Sequence, residues 1–139
     1  LRFRQDVIEL NTKIVVILAG TNDIAGNTGL TTIETILENL ISMCELAKAN
    51  NIKAVLCSIL PASDYPWRRE MKPADKIEAL NEMILKYATA NNIPYADYYS
   101  VMEDKRKGLK SIYSEDGVHP NKQGYLVMEP IIETIIDNL

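Results

Sequence analysis

The stretch Val15–Gly29, VVILAGTNDIAGNTG, carries the strongest fold signal in the sequence. It begins within an apolar, β-branched run, Ile14–Leu18, and turn residues follow that run. Such a run is typical of a strand buried on both faces of a parallel sheet. Small and polar residues, Ala19–Asp23, follow the strand directly. Because open α/β sheets bind ligands beyond the carboxyl ends of their strands, we expect a functional site here.

Further strands and helices alternate along the rest of the chain. Lys53–Ile59 predicts a second buried strand, and Ile93–Tyr98 predicts a third, shorter one. Capping and periodicity signals predict the helices. The first two are the tail of an amphipathic helix in Leu1–Asn11 and a helix that runs from a capping box at Thr31–Glu34 to Asn50–Asn51. A third begins with Pro73, a short fourth covers Ser100–Lys107 and is closed by Gly108, and a fifth is capped by Asn121 and broken or kinked at Pro130. This alternation predicts an α/β fold, a three-layer α/β/α sandwich with a parallel sheet, over a single domain, residues 1–139.

Composition narrows the class of protein further. The 139 residues are 47% hydrophobic and 24% charged, with a formal net charge of −4. An acidic balance provides no basic surface for nucleic acid, and no apolar run is long enough for a membrane span. Cys44 and Cys57 lie in apolar segments and are expected to be buried free thiols. The compartment stays open: a periplasmic or secreted location would follow if an upstream segment carried a signal peptide.

Asn22 is the first candidate functional residue. It follows the Ile14–Leu18 strand by a few positions, so its side-chain amide is expected to reach the crevice at the carboxyl edge of the sheet. An amide NH₂ group in that position can stabilise an oxyanion during acyl transfer. Taken alone, an Asx turn formed by Asn22 and Asp23 explains the same residues at least as well.

Asp116 and His119 form the second candidate, within the segment DGVHP, residues 116–120. His119 is the single histidine of the chain. A carboxylate beside Nδ1 fixes the imidazole tautomer and leaves Nε2 free to act as a base. A lone Asp-x-x-His is also common on surfaces, but here it occurs together with Gly-x-Asn-Asp on an α/β pattern.

These segments together resemble the GDSL, or SGNH, family of esterases and lipases. Gly20–Asp23 matches the third block of that family, and Asp116–Pro120 matches its fifth. Ala62–Trp67 (ASDYPW) and Asn121–Pro130 (NKQGYLVMEP) are similar to bacterial acylhydrolases of the family. The resemblance implies a flavodoxin-like sandwich and a serine ester hydrolase, with Asn22 as oxyanion-hole donor, His119 as general base and Asp116 as the residue that orients His119.

The family's nucleophile is absent from this sequence. No Gly-Asp-Ser occurs, and no glycine precedes the first strand, although the family has an oxyanion-hole glycine there. We therefore expect that this chain is a C-terminal portion, truncated before its first strand and a helix, and that it is inactive alone. Neither Ser58 nor Ser114 can be assigned the role of nucleophile.

The substrate site is less well defined by the sequence. Five residues near predicted strand ends are candidates for lining it: Gly20, Asp23, Tyr65, Trp67 and Arg68. The segment that holds the last three could equally well only cover the end of the sheet. The resemblance implies small acyl esters or O-acylated carbohydrate as substrates, with no cofactor and no metal.

Three other interpretations stay open. A non-catalytic binding module would keep the fold without a nucleophile. A metal-dependent phosphoesterase would use Asn22, Asp23, Asp116 and His119, although such sites usually need several histidines. A nucleotide site is disfavoured because the Gly20–Gly29 segment lacks phosphate-binding motifs. We also expect self-association through Ile14–Leu18, since loss of a neighbouring strand would leave an apolar edge.

Overall fold

The computed structural model describes residues 2–139 and contains a parallel three-stranded sheet. The strands are β1 (Ile14–Ile17), β2 (Lys53–Cys57) and β3 (Tyr95–Ala96), in the order β1-β2-β3. Val16 lies opposite Val55, and Cys57 lies opposite Ala96. The predicted α/β class and parallel sheet are confirmed. All three strands are shorter than predicted, β3 most of all, because Pro94 has no N–H to add to the ladder.

Within residues 2–139, five α-helices accompany the sheet. Their bounds are α1 (Thr21–Ile24), α2 (Ile33–Ala49), α3 (Pro73–Ala90), α4 (Tyr99–Met102) and α5 (Lys122–Asp137). At the N-terminus, where an amphipathic helix was predicted, the chain forms a π-helical turn, Arg4–Ile8, and Leu1 lies outside the described residues. No helix within residues 2–139 is long and apolar enough to cross a bilayer.

The capping box of α2 was predicted one residue too early. Thr32, not Thr31, is the N-cap, and its side chain accepts a hydrogen bond from the N–H of Thr35 at 3.2 Å. Thr32 has an extended backbone, with φ −92° and ψ 159°, and the first helical residue is Ile33. Glu34 therefore occupies the second helical position, where it does not complete a capping box.

α4 is much shorter than the predicted helix over Ser100–Lys107. Its chain leaves the helix after Met102, and Asp104 then organises a turn of its own. The Oδ1 atom of Asp104 accepts hydrogen bonds from the N–H groups of Arg106 at 2.7 Å and Gly108 at 2.9 Å. Local side-chain bonding of this kind competes with helix formation.

α5 begins as predicted. Asn121 is its N-cap, with Oδ1 accepting from the N–H of Gly124 at 3.0 Å. A break or a kink was predicted at Pro130; the helix continues through Pro130 to Asp137, so there is no break. Removal of one backbone hydrogen bond by a proline is tolerated here because the apolar face of α5 packs on the sheet.

Helices cover both faces of the sheet. The core residues of α2 and α3 pack with Leu56 on one face. On the other face, Val55 and Cys57 pack against Met102 of α4 and Met128 of α5. Adjacent residues of β2 thus face opposite layers, as strand geometry requires. The three-layer arrangement is confirmed.

A buried asparagine fixes the chain beyond β2. Asn81 of α3 accepts a hydrogen bond from the N–H of Ile59 at 2.7 Å and donates to the carbonyl of Ile59 at 3.0 Å. One side chain therefore satisfies both backbone groups of a residue that has left the ladder, which holds the start of the next loop in place.

β1 lies at one edge of the sheet and pairs with β2 alone among residues 2–139. Val16 and Leu18, at the end of this edge, are 40% and 43% exposed. Self-association through Ile14–Leu18 stays a prediction. The predicted buried free thiols are confirmed: Cys44 and Cys57 are both buried and unbridged.

Candidate active site

Three loops meet at the carboxyl edge of the sheet. The Asn22 loop, Gly20–Leu30, follows β1 and contains α1. The aromatic loop, Ala62–Lys72, follows β2. The Asp–His loop, Ser114–Pro120, precedes α5 and is closed by an antiparallel bridge between Ser114 and Pro120. Each candidate residue from the sequence lies on one of these loops.

The Asp–His loop brings Asp116 and His119 into direct contact. Oδ2 of Asp116 lies 2.6 Å from Nδ1 of His119. The other carboxylate oxygen, Oδ1, accepts hydrogen bonds from the backbone N–H groups of Val118 and His119, each at 2.8 Å. These bonds fix the carboxylate in the plane that Nδ1 needs, so the short spacing of Asp-x-x-His is sufficient to orient the imidazole.

Ser114 supports this loop from beneath. Its side chain is buried, and Oγ lies 2.7 Å from the carbonyl of His119 and 3.1 Å from Oδ1 of Asp116. It also accepts the N–H of Gly117 at 3.0 Å, where φ is +78°. The single proton of this hydroxyl is shared between two acceptors within the loop, and one of its lone pairs accepts a third bond there, so Ser114 is engaged in holding the loop.

The hydrogen bonds around Asp116 set its charge state. The backbone N–H of His119, first, and then its side chain hold the pKa of the Asp116 carboxyl well below its usual range. Because the folded pKa is the lower one, the stabilising effect of ionised Asp116 is present above the ordinary carboxyl pKa of about 3.9 and is lost as pH falls through the folded value. At neutral pH the carboxylate is therefore negative and stabilises a proton on Nδ1 of His119.

Asn22 lies in the first turn of α1 and is exposed. Asn27 contacts it twice: the Asn27 N–H donates to the Asn22 carbonyl at 2.9 Å, and Nδ2 of Asn27 donates to Oδ1 of Asn22 at 3.2 Å. The chain enters this loop at Gly20, with φ +122°. A Cβ at Gly20 would lie 2.7 Å from Cδ1 of Ile59, so only glycine fits the turn without displacement.

Arg68 of the aromatic loop holds the Asn22 loop from the side. Its Nη1 atom donates to the carbonyls of Ala25 at 3.3 Å and Gly26 at 3.1 Å. Tyr65 lies beneath, with its hydroxyl 3.5 Å from the carbonyl of Thr21. The aromatic loop is therefore a brace for the segment that carries Asn22.

Trp67 connects the two other loops. Its Nε1 donates to Oδ1 of Asn27 at 3.4 Å, and its ring centroid lies 6.1 Å from that of His119, at an interplanar angle of 31°. On its other side it stacks on Tyr65, with centroids 5.4 Å apart. Trp67 is 46% exposed, whereas Tyr65 has no exposed surface. A continuous chain of contacts thus joins Asn22, through Asn27 and Trp67, to His119.

The five candidate lining residues have different surroundings. Gly20 and Tyr65 are buried, which leaves them no surface for a substrate. Asp23 accepts a hydrogen bond from Oγ1 of Thr28 at 3.0 Å, and Arg68 is partly buried against the loop carbonyls. Trp67 is the member of this set that is both exposed and in contact with His119.

Asn27 is the residue at this site that the sequence interpretation missed. Nothing in the sequence marks it, since it follows Asn22 by five positions in a segment rich in glycine, asparagine and threonine. Helix α1 ends at Ile24, and the turn that follows brings the two asparagines together. Only the observed backbone path reveals that contact.

Other hydroxyl and thiol groups near the sheet are occupied or inert. Ser58 is fully buried, and its Oγ accepts the N–H of Tyr99 at 2.8 Å. Burial raises the pKa of the Cys57 thiol to about 11, and burial raises that of Cys44 to about 11 as well. Both thiols are therefore protonated at neutral pH and are poor nucleophiles.

A cleft of about 590 Å³ opens beside the Asp–His loop and shares residues 114–117 with it. Most of the lining side chains are polar or charged: Ser63, Asp64, Arg69, Asp104, Arg106, Lys110, Ser111, Ser114, Glu115 and Asp116. Its surface is suited to a polar group rather than to a long acyl chain. Across residues 2–139, no group of three or more His, Cys, Asp and Glu side chains is placed to hold a metal ion.

Comparison with solved structures shows close relatives. A GDSL-like lipase from Bacteroides thetaiotaomicron is 50% identical, with a TM-score of 0.96, over 99% of this chain and 68% of that one. A candidate acylhydrolase from Bacteroides fragilis is 47% identical, with a TM-score of 0.96, over 99% of this chain and 67% of that one.

A more distant neighbour shows the same fold. The lipase/acylhydrolase from Enterococcus faecalis is 24% identical, with a TM-score of 0.81, over 99% of this chain and 67% of that one. No curated protein sequence matches this chain. The sequence profile of the GDSL-like Lipase/Acylhydrolase family matches residues 1–127. This match covers most of the chain, which therefore belongs to the GDSL-like lipase/acylhydrolase family.

Proposed function

We propose that this chain carries the base, the orienting carboxylate and one oxyanion donor of an ester hydrolase that uses a Ser-His-Asp mechanism. The observation that carries the proposal is the 2.6 Å contact between Oδ2 of Asp116 and Nδ1 of His119. Asp116 holds the proton on Nδ1, so the lone pair of Nε2 is available to accept a proton from a serine hydroxyl.

The reaction has two stages, acylation of the serine and then deacylation. Serine Oγ attacks the ester carbonyl while its proton passes to Nε2 of His119, and the amide NH₂ of Asn22 stabilises the oxyanion. His119 then gives the proton to the leaving alcohol as the carbon–oxygen bond breaks. Water attacks the acyl-serine while its proton passes to Nε2 of His119. As the second intermediate collapses, the carbon–oxygen bond to serine breaks, His119 returns the proton to serine Oγ, and the acid is released.

The serine of this mechanism lies outside the present sequence in our proposal. The 139 residues contain no Gly-Asp-Ser, and Ser58 and Ser114 are buried and engaged in hydrogen bonds. We therefore propose that this chain alone does not hydrolyse esters and that the intact protein does.

The substrate class that the surroundings favour is a small acyl ester of a polar alcohol, such as an O-acetylated carbohydrate. Two observations support this. The cleft beside Asp116 is lined by charged side chains, and Trp67 offers an exposed ring next to His119. An indole face is a good surface for the C–H face of a sugar, while the charged cleft provides partners for hydroxyl groups.

The test is hydrolysis of p-nitrophenyl acetate by the intact protein, by this chain alone, and by His119→Ala in each background. We expect His119→Ala to lower kcat of the intact protein at least about 10³-fold. This chain and its His119→Ala variant should be equally inactive. Lys122→Ala, a nearby change on the exposed side of α5, is the matched control and should have no effect.

Other outcomes would support the competing interpretations. An intact protein that binds acetylated sugars without turnover would be a binding module. Activity on phosphate esters that disappears with a chelator would indicate the phosphoesterase. Turnover by this chain alone that depends on His119 would refute the account of the serine, and Ser58 and Ser114 would be substituted next.

A further inference from the structure

We propose that Asn27 is a positioning residue that determines which end of the Asn22 side chain faces the reacting carbonyl. The inference rests on the proposed function, because it assigns Asn22 the task of stabilising an oxyanion. A side-chain amide can do this through its NH₂ group alone. With its oxygen turned to the same place, it would repel the developing negative charge.

The position of Asn22 does not by itself fix the orientation of its side-chain amide. Asn22 lies on an exposed four-residue helix, and an asparagine side chain has two nearly isosteric orientations. The asymmetry has to come from a neighbour that can only donate, or only accept. Asn27 donates to Asn22 through the backbone at 2.9 Å and through the side chain at 3.2 Å, so the two side-chain amides are held in contact.

Trp67 supplies the asymmetry. Its indole N–H is a donor with no acceptor function, and it lies 3.4 Å from Oδ1 of Asn27. The oxygen of Asn27 is thereby turned toward Trp67, and its NH₂ group is turned toward Asn22. Oδ1 of Asn22 accepts that bond at 3.2 Å, which directs the NH₂ of Asn22 away from Asn27.

The same tryptophan also sets the distance between the two halves of the site. Its ring packs against His119, with centroids 6.1 Å apart, while its N–H holds Asn27. Because Trp67 is stacked on the fully buried Tyr65, its own position is fixed from below. One rigid side chain, Trp67, therefore fixes the position of the base directly and that of the oxyanion donor through Asn27.

The decisive variant is Asn27→Asp in the intact protein. A carboxylate has no donor, so the amide of Asn22 would turn its NH₂ toward it and present its oxygen to the substrate. We expect kcat for p-nitrophenyl acetate to fall about 10²-fold, close to the loss of an oxyanion donor, with KM unchanged. Asn27→Ala leaves Asn22 free to adopt both orientations, so its kcat should fall only about tenfold.

Two further variants complete the set. Leu30→Asp adds a carboxylate to the same loop at a side chain that is 90% exposed, and its kcat should stay within about twofold of wild type. Trp67→Phe keeps the ring against His119 but removes the N–H, and it should lower kcat less than Asn27→Asp does. Thermal unfolding of the two Asn27 variants and of Leu30→Asp should match wild type, because Asn27 and Leu30 are both exposed.

The order of the two Asn27 variants separates positioning from packing. If Asn27 only supported the loop, Asn27→Ala would be the worse variant and would lower the melting temperature. That order, or equal kcat in both variants and wild type, overturns the inference while loss of activity in His119→Ala leaves the proposed function standing. Full activity in His119→Ala overturns the proposed function and this inference with it.

Discussion

The Asp–His loop and the Asn22 loop are held in opposite ways. In the first, the hydrogen bonds that position Asp116 and His119 come from residues two or three positions away. In the second, the braces come from the aromatic loop, at sequence separations of 40 to 44 residues. One half of the site is thus a local motif, and the other half exists only when the sheet has brought two loops together.

The two loops should accordingly fail in different ways. Damage inside the Asp–His loop should remove chemistry without loosening the fold, since its bonds begin and end within Ser114–Pro120. Damage to the aromatic loop should loosen the Asn22 loop and reduce activity only as a consequence. Single substitutions in the two loops test this difference.

Asp116→Asn should remove activity from the intact protein without unfolding it. The remaining oxygen can still accept the N–H groups of Val118 and His119, but an NH₂ group replaces Oδ2 opposite Nδ1 of His119. The imidazole must then carry its proton on Nε2, which is the wrong tautomer for a base. We expect kcat to fall by about 10³ to 10⁴ in ester hydrolysis assays.

Glu129→Gln is the matched control for this change. It removes the same charge from an exposed residue of α5 that does not line the cleft, and it should leave kcat unchanged. A melting temperature that falls strongly in Asp116→Asn, together with lost activity, would contradict the view that the loop separates chemistry from stability.

Arg68→Met should affect the other loop through stability first. It removes the two bonds from Nη1 to the carbonyls of Ala25 and Gly26 while keeping the aliphatic stem. The free energy of unfolding should fall by about 1–2 kcal/mol, the low end for bonds to a charged group because Arg68 is partly exposed. Chemical denaturation measures this, and hydrogen exchange should show faster exchange in the Asn22 loop.

The neighbouring arginine provides an internal control. Arg69 pairs with Asp64 at 3.4 Å on a side chain that is 78% exposed, so Arg69→Met should change the free energy of unfolding by less than about 0.5 kcal/mol. Equal losses from the two arginines would mean that the aromatic loop does not brace the Asn22 loop.

The same distinction explains what could be predicted from sequence. The Asp116–His119 pairing follows from three-residue spacing in a loop that ends in proline, so a short motif was sufficient. The braces of Asn22 depend on where residues 40 positions away return to the sheet edge, which no local pattern encodes. Asn27 was missed for a different reason: its contact with Asn22 spans five positions but depends on the turn after α1, which no residue pattern in that segment marks.

Secondary structure shows the same limit on a smaller scale. Helices α2 and α3 have long amphipathic periods and were predicted nearly in full, and the beginning of α5 was predicted from its cap. The errors occurred where one side chain decides the outcome, such as the cap at Thr32 and the turn around Asp104. The continuity of α5 through Pro130 was missed because tertiary packing overrides the local penalty of proline.

Trp67 contacts both the Asp–His loop and the Asn22 loop, and its fluorescence gives the smallest but most direct measure of how the two loops are held together. The chain has one tryptophan and one histidine, and their ring centroids lie 6.1 Å apart. Indole emission depends on the groups packed against the ring, so the fluorescence of this chain should change when the His119 ring is removed from beside Trp67.

The measurement needs only this chain, and its variants discriminate between the loops. His119→Gln should shift the emission of Trp67, because it removes the ring in contact with the indole. Arg68→Met should shift the emission in the same direction, because a loosened aromatic loop carries Trp67 away from His119. Glu129→Gln, on the exposed side of α5, should change nothing. Wild-type emission in Arg68→Met would show that Trp67 stays on His119 without the brace, and the two loops would then be coupled through the stacked aromatic rings alone.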